Sequence, residues 1–335
     1  MHEALFYKKL ENNKVKCFLC NQNCILKQGE LSVCGVRKNI NGTLYSLNYD
    51  KIAAINSDPI EKKPLYHFLP SSIAFSIATM GCNFKCKFCQ NYTLSQVINE
   101  NQIYGEKIEP EKIVQMAIDS GAKSIAYTYS EPTIFYELMF ETAKIAKQVG
   151  LKNLMITNGY IGKEAFDKLR PYLDAANIDL KSFSDQFYRK YCAARLNPVL
   201  ENIKRFKQSG LWVEVTTLVI PDLNSKEQEA EKIIDFILSI DENIPWHVSR
   251  FFPHYKFFDV AITKEDTIYE FLNSGKKIGL KYLYAGNIRS NKWENTYCPE
   301  CGNLLIERNG YYTEIKGLKE NRCNNCNTEI KGIWE

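Results

Sequence analysis

No stretch of this 335-residue chain approaches the 18 or more consecutive apolar residues that a membrane-spanning helix requires. The N-terminus, MHEALFYKK, lacks the apolar core of a signal peptide. Together these absences lead us to expect a cytoplasmic protein with no membrane partner. Charge of one sign is also scarce. Forty-three Lys and Arg stand against 39 Asp and Glu, a net of +4. No run of four or more basic residues occurs, so nucleic acid is not an expected partner. Hydrophobic residues at 45% and charged residues at 24% are ordinary for a globular chain. The length suffices for one large α/β domain with one or two small modules.

Cysteine, by contrast, is plentiful. The 12 cysteines fall into three tight groups plus the single Cys192, with metal-ligand spacing rather than that of a disulfide framework. The densest group lies in residues 76–92, SIATMGCNFKCKFCQNY, which places Cys82, Cys86 and Cys89 in a three-then-two spacing. Three thiolates this close suit a polynuclear iron–sulfur cluster better than a lone zinc. A [4Fe–4S] cube normally takes four protein ligands. Three leave one iron open to a substrate, as an open position serves a catalytic zinc.

This CxxxCxxC loop, preceded by an apolar run and followed by Gln90, Asn91 and Tyr92, resembles the radical S-adenosylmethionine (SAM) superfamily, and within it the pyruvate formate-lyase activating enzymes and their relatives. The resemblance implies that the open iron chelates the amino and carboxylate groups of SAM. An electron, delivered by a donor such as flavodoxin or ferredoxin, then breaks a carbon–sulfur bond. The products are methionine and a 5′-deoxyadenosyl radical that takes a hydrogen atom from the substrate.

Cys17, Cys20, Cys24 and Cys34 form a second group, a complete four-sulfur set for zinc or for a second cluster. Such a filled site has no open position, so a structural role or electron relay is expected of it. This stretch, and above all residues 58–70 (DPIEKKPLYHFLP), resembles the radical SAM enzymes of the AmmeMemoRadiSam system. That resemblance implies AMMECR1-like and Memo-like proteins as partners. Asn21 and Gln22 stand where members of that group often carry Pro-His.

From residue 72 onward, short apolar runs alternate with longer amphipathic stretches, the pattern of repeated βα units around a parallel sheet. Strands are expected at 73–79, 124–128, 153–157, 176–180, 212–220 and 246–251, with one more at 280–285. Helices are expected at 109–120, 134–148, 163–172, 198–208, 225–239 and 264–277. The expected fold class is α/β: an incomplete (β/α)6-type radical SAM barrel over 72–290, with an N-terminal cysteine-rich segment over 1–71. A zinc-ribbon-like or rubredoxin-like module follows over 291–335, after a break near 287–291.

Ligand sites in parallel α/β folds lie beyond the C-terminal strand ends. After the second strand, TYSEPT carries Glu131, which resembles the superfamily's glycine-glycine-glutamate element that receives the SAM amino group. Tyr129 and Ser130 replace its glycines. After the third, Thr157, Asn158 and Gly159 match a segment beside SAM. After the fourth, Asp179 and Lys181 match an element whose lysine contacts the SAM carboxylate. Two positions apart on a strand, they point to one face and can neutralise each other. His247 matches a histidine near SAM at the end of the sixth strand, and Arg250 suits either a substrate carboxylate or a backbone carbonyl.

Cys298 and Cys301 are separated by 21 residues from Cys323 and Cys326, a strong signal for structural zinc, with a single iron as the other fit. The stretch between them reads as a hairpin with an Asn-Gly turn. Two other readings of the whole remain: a glycyl-radical-enzyme activase, and a non-catalytic, metal-stabilised binding protein.

Overall fold

The computed structural model describes residues 1–289 and 291–335. Ser290, in the expected break and at the expected end of the barrel, lies outside the described residues. Seven parallel strands form the scaffold: β1 (Ile73–Thr79), β2 (Ser124–Tyr127), β3 (Lys152–Thr157), β4 (Ala175–Asp179), β5 (Trp212–Val219), β6 (Trp246–Arg250) and β7 (Leu283–Gly286). They lie side by side in chain order, the arrangement of a barrel wall rather than of a doubly wound sheet. Helices α1 (Pro110–Asp119), α2 (Tyr136–Gln148), α3 (Lys163–Leu169), α4 (Asn197–Gln208), α5 (Glu227–Leu238) and α6 (Glu265–Ile278) link successive strands. Among the described residues the wall stays open. Strand Lys51–Pro59 pairs antiparallel with β1, and Glu106–Lys107 pairs with it in turn. Residues 51–59 thus extend the barrel sheet from within the segment expected to precede it.

The period-two alternation of each strand sorts its side chains between two cores. Phe75, Ile77, Ile125, Tyr127, Met155, Ile178, Val213 and Val248 belong to the large core shared with the helices. Ala74, Ala126, Leu154, Ala175 and Trp212 belong instead to a small cluster with Ile60, Leu65, Phe68 and Leu69. Three of these five strand residues are alanines, and their small side chains leave room for a segment of chain. That segment is 58–70, which threads the barrel at the first to third positions of the strands.

Buried polar groups of the strands hold it there. The Glu214 carboxylate accepts from the backbone N–H of Tyr66 (3.0 Å) and His67 (2.8 Å), from Trp212 Nε1 (3.0 Å), and pairs with His247 Nε2 at 2.5 Å. Asn177 Nδ2 donates to the Pro64 carbonyl at 2.8 Å, and Lys63 Nζ donates to Asp58 at 2.7 Å. The C-terminal module docks on the outside of this plug. Its hairpin (Leu304–Asn309 and Tyr312–Ile315) turns at Gly310, in the left-handed region at φ 63°. Arg308, 1% exposed, donates to the Tyr66 carbonyl at 2.8 Å and lies over the Tyr66 ring. Ile333 exchanges backbone hydrogen bonds with His67 and Leu69.

Most expected elements form within one to three residues of their expected bounds. One difference is the first turn expected of α2, a separate 3-10 turn, Pro132–Phe135, begun by Pro132.

Candidate metal and cofactor site

The C-terminal strand ends carry the loop of Cys82, Cys86 and Cys89. Its shape comes from the residues between the cysteines. Phe84 and Phe88 are buried, Phe84 edge-on to Tyr160 at 4.9 Å and Phe88 against Phe187 and Phe257. Lys85 N and Lys87 N donate to the carbonyls of Cys192 (2.8 Å) and Tyr191 (3.0 Å), in a π-helical turn Tyr188–Cys192. Gly81, at φ 108°, precedes the first cysteine. A Cβ there would stand 2.6 Å from Val36 Cγ1 and 3.0 Å from the Cys34 carbonyl, so only glycine fits.

Donors face the sulfurs. Phe84 N donates to Cys82 Sγ at 3.4 Å, Asn158 Nδ2 lies 3.9 Å from it, and Ser95 Oγ meets Cys89 Sγ at 3.1 Å. Burial pushes the Cys82 thiol well above its ordinary value, and a hydrogen bond with Cys192, aided by burial, does the same for Cys86. Metal ligation overcomes this cost by replacing the proton. Cys192, which the sequence left unassigned, is therefore a neighbour of the loop.

The rim residues expected from sequence fall as follows. The Glu131 carboxylate is buried and accepts from Thr133 N (3.0 Å), Thr133 Oγ1 (2.5 Å), Thr157 Oγ1 (2.7 Å) and Asn158 N (2.8 Å). Burial raises its pKa against these bonds. Glu131 thus ties the end of β2 to that of β3, with most of its capacity spent inside the chain. Asn158 Nδ2 is directed to Asn83 Oδ1 at 2.7 Å, beside Cys82. Lys181 Nζ donates to Asp179 at 2.7 Å; burial opposes its charge, but Asp179 and Cys86 outweigh that and hold Lys181 well above the usual lysine value.

His247 is a correction. It is the second residue of β6, 1% exposed, and its ring is bound to Glu214 and stacked on Tyr284, in the plug and away from the rim. Arg250 reaches the Thr263 carbonyl (2.7 Å) and Glu265 (2.8 Å), so the backbone-carbonyl alternative is the one observed.

Several site residues escaped sequence reasoning. Asn83 sits inside the cysteine loop and carries a signal only by that position. Tyr129 adopts φ 61°, a glycine-like conformation at the place of a family glycine, at a cost of roughly 1–3 kcal/mol. Its hydroxyl donates to Asp58, which links the plug to the rim. Gln22 Nε2 donates to the carbonyls of Asn83 (2.8 Å) and Ala193 (3.0 Å), and Asn21 Nδ2 to Ile161 (3.0 Å). The two residues that depart from the family's Pro-His pair thus bolt the N-terminal segment to the rim.

The other two cysteine groups differ in geometry. Cys298, Cys301, Cys323 and Cys326 place all four sulfurs within 4.8 Å of one another, with 3.5 Å and 3.7 Å between two pairs. A tetrahedral ion with bonds of ~2.3 Å to sulfur sets edges of about 3.8 Å, so this group fits a single zinc or iron. Cys17, Cys20, Cys24 and Cys34 line one narrow cavity with Gln22, Arg37 and Asn83. Among the described residues the ribbon cysteines are the set gathered within 4.8 Å. A polynuclear cluster, whose ligands bind different irons, does not require that compactness.

A cluster-bearing loop at the C-terminal end of the first strand of a sequentially wound parallel sheet defines a class of radical enzymes. The model of the radical SAM superfamily matches residues 76–237, so the chain carries a radical SAM domain; members of that superfamily use a [4Fe–4S] cluster and SAM. An uncharacterized protein of Methanocaldococcus jannaschii is 46% identical over 98% of this chain and 99% of its own. A candidate glycyl-radical enzyme activating enzyme of the same organism is 28% identical, over 62% of this chain and 77% of its own. Among solved structures, Streptococcus suis SuiB bound to precursor peptide SuiA matches at TM-score 0.51 and 15% identity, over 68% of this chain and 51% of that one. A radical SAM methyltransferase from Sphaerobacter thermophilus matches at TM-score 0.50 and 15% identity, over 71% of each chain. Both share the fold. No helix among the described residues is long and apolar enough to cross a membrane.

Proposed function

We propose that this protein cleaves SAM reductively and uses the resulting 5′-deoxyadenosyl radical to abstract a hydrogen atom from its substrate. The observation that carries this reading is the loop of Cys82, Cys86 and Cys89, set directly after β1 in the stretch that matches the radical SAM model. A [4Fe–4S] cluster held by these three cysteines would pass the electron of a donor such as flavodoxin or ferredoxin to SAM and so break its carbon–sulfur bond. The chain's own residues do the rest. Lys181, charged and held by Asp179, offers a cation to the SAM carboxylate. Asn158 and Phe84 N set the electrostatics of Cys82, and Glu131 fixes the loops that carry them. Phe84, Phe88 and Phe257 keep water from the underside of the loop.

A second reading names the substrate class: a backbone glycine of a partner protein, as for the activase-like relative. AMMECR1-like and Memo-like partners belong instead to the AmmeMemoRadiSam subtype, the identity that the resemblance of residues 58–70 favours and to which the activase is the alternative. Anaerobic turnover with deuterium-labelled cell extract, split into protein and small-molecule fractions, separates the two. Deuterium entering 5′-deoxyadenosine from the protein fraction alone supports the activase reading. Label from small molecules alone sinks it.

A further inference from the structure

We propose that Cys17, Cys20, Cys24 and Cys34 hold a second iron–sulfur cluster, fully ligated by cysteine and packed directly behind the radical-generating loop. Three independent observations carry this. The first is placement: all four cysteines line one cavity, outside the compact grouping of the ribbon cysteines.

The second is a pair of unpartnered donors. Among the described residues, few buried side-chain nitrogens lack a hydrogen-bond partner, and Arg37 Nε and Asn83 Nδ2 are two of them. Both residues line this cavity, Arg37 1% and Asn83 0% exposed. An N–H buried without an acceptor costs about 1–3 kcal/mol, and two on one cavity call for an acceptor inside it. Cluster sulfides and thiolates accept such bonds. The rest of the Arg37 guanidinium is held by Glu137 at 2.6 Å and by the Leu5 carbonyl at 2.9 Å, so Nε has a fixed aim. Its charge also offsets part of the negative charge that four thiolates bring.

The third is contiguity with the first cluster's loop. Asn83 directly follows Cys82, so one residue of that loop also lines the second cavity. Gly81 presses on the Cys34 carbonyl, and Gly35 packs so closely on Val97 that a Cβ would stand 2.7 Å from its carbonyl oxygen. This placement suits a one-electron relay. A low-potential carrier protein is oxidised by one electron, and that electron passes through the second cluster to the first. The relay rests on the proposed function; the cluster itself does not.

The test uses full-length protein reconstituted anaerobically, wild type and a variant with Cys82→Ala, Cys86→Ala and Cys89→Ala together. Iron, acid-labile sulfide and zinc are counted, and low-temperature EPR follows dithionite reduction. The expected result is about eight sulfides per wild-type chain and about four in the variant, with a [4Fe–4S] signal remaining. Adding Cys17→Ser and Cys34→Ser removes the rest. The ribbon ion contributes no sulfide, so it does not confuse the count. A variant with no sulfide and zinc beyond one equivalent overturns the proposal. If the variant does not fold, the wild type decides alone, since about four sulfides with two zincs also overturn it. Four sulfides retained by the variant, with no SAM cleavage by the wild type, would sink the proposed function and leave this site standing.

Discussion

The two ends of the barrel solve opposite problems. At the N-terminal strand ends, every acceptor position of Glu214 meets a partner, Arg308 spends its terminal nitrogens on Tyr66, Glu294 and Thr296, and residues 58–70 fill the space between alanines. At the C-terminal ends, buried thiols face one another, Asn83 Nδ2 and Ser130 Oγ lack partners, and Tyr129 holds a strained backbone. Unpartnered buried atoms are not confined to the rim, since Arg308 Nε, Glu61 Oε2 and Ser124 Oγ at the sealed end also lack partners. What sets the rim apart is the three-cysteine loop and the strained Tyr129 backbone, at the end where ligands bind in a parallel α/β fold. The metal groups follow the same division: the compact four-cysteine ribbon sits on the sealed end, and the other two groups sit together at the rim.

Breaking the sealed end tests this contrast by stability. Glu214→Ala strands the N–H groups of Tyr66, His67 and Trp212 and leaves His247 unpaired. The expected loss is about 3–5 kcal/mol, read as a lower denaturant midpoint. A loss under ~1 kcal/mol would show that the plug is not held as described.

A smaller effect comes from pH. Burial pushes His67 down to about 4, against ~6.5 unfolded, and its Nδ1 and Nε2 contact the Lys331 carbonyl and the Tyr284 hydroxyl. Below ~6.5 the unfolded chain takes a proton that the folded chain refuses until about 4. Stability from this group is therefore full above that range and falls as pH drops through it, by up to roughly 3 kcal/mol. Denaturant titrations of His67→Asn beside the wild type should show a flatter slope over that window. Parallel slopes would assign the acid sensitivity elsewhere.

The barrel was legible because its strands are apolar on both faces and its helices carry a clear period. The cysteine groups were legible because thiol spacing is local. The plug was not. Residues 58–70 mix Asp, Glu and Lys with apolar residues and show no period, because their partners are polar groups on four separate strands. His247 was misplaced for a related reason: a histidine in a strand gives no sign of which end it occupies, and only its bond to Glu214 decides. Glu131 shows the limit of motif matching. Its position is as expected, but its oxygens are bound within the chain. Spacing alone leaves zinc and a cluster both open at Cys17, Cys20, Cys24 and Cys34.

The most direct test of the account is anaerobic incubation of the reconstituted protein with SAM and dithionite, followed by quantification of 5′-deoxyadenosine and methionine. The account predicts both products in equal amounts from the wild type and none above background from Cys86→Ala. An equal yield from Cys86→Ala, or no product from wild type carrying its full iron and sulfide, would contradict it.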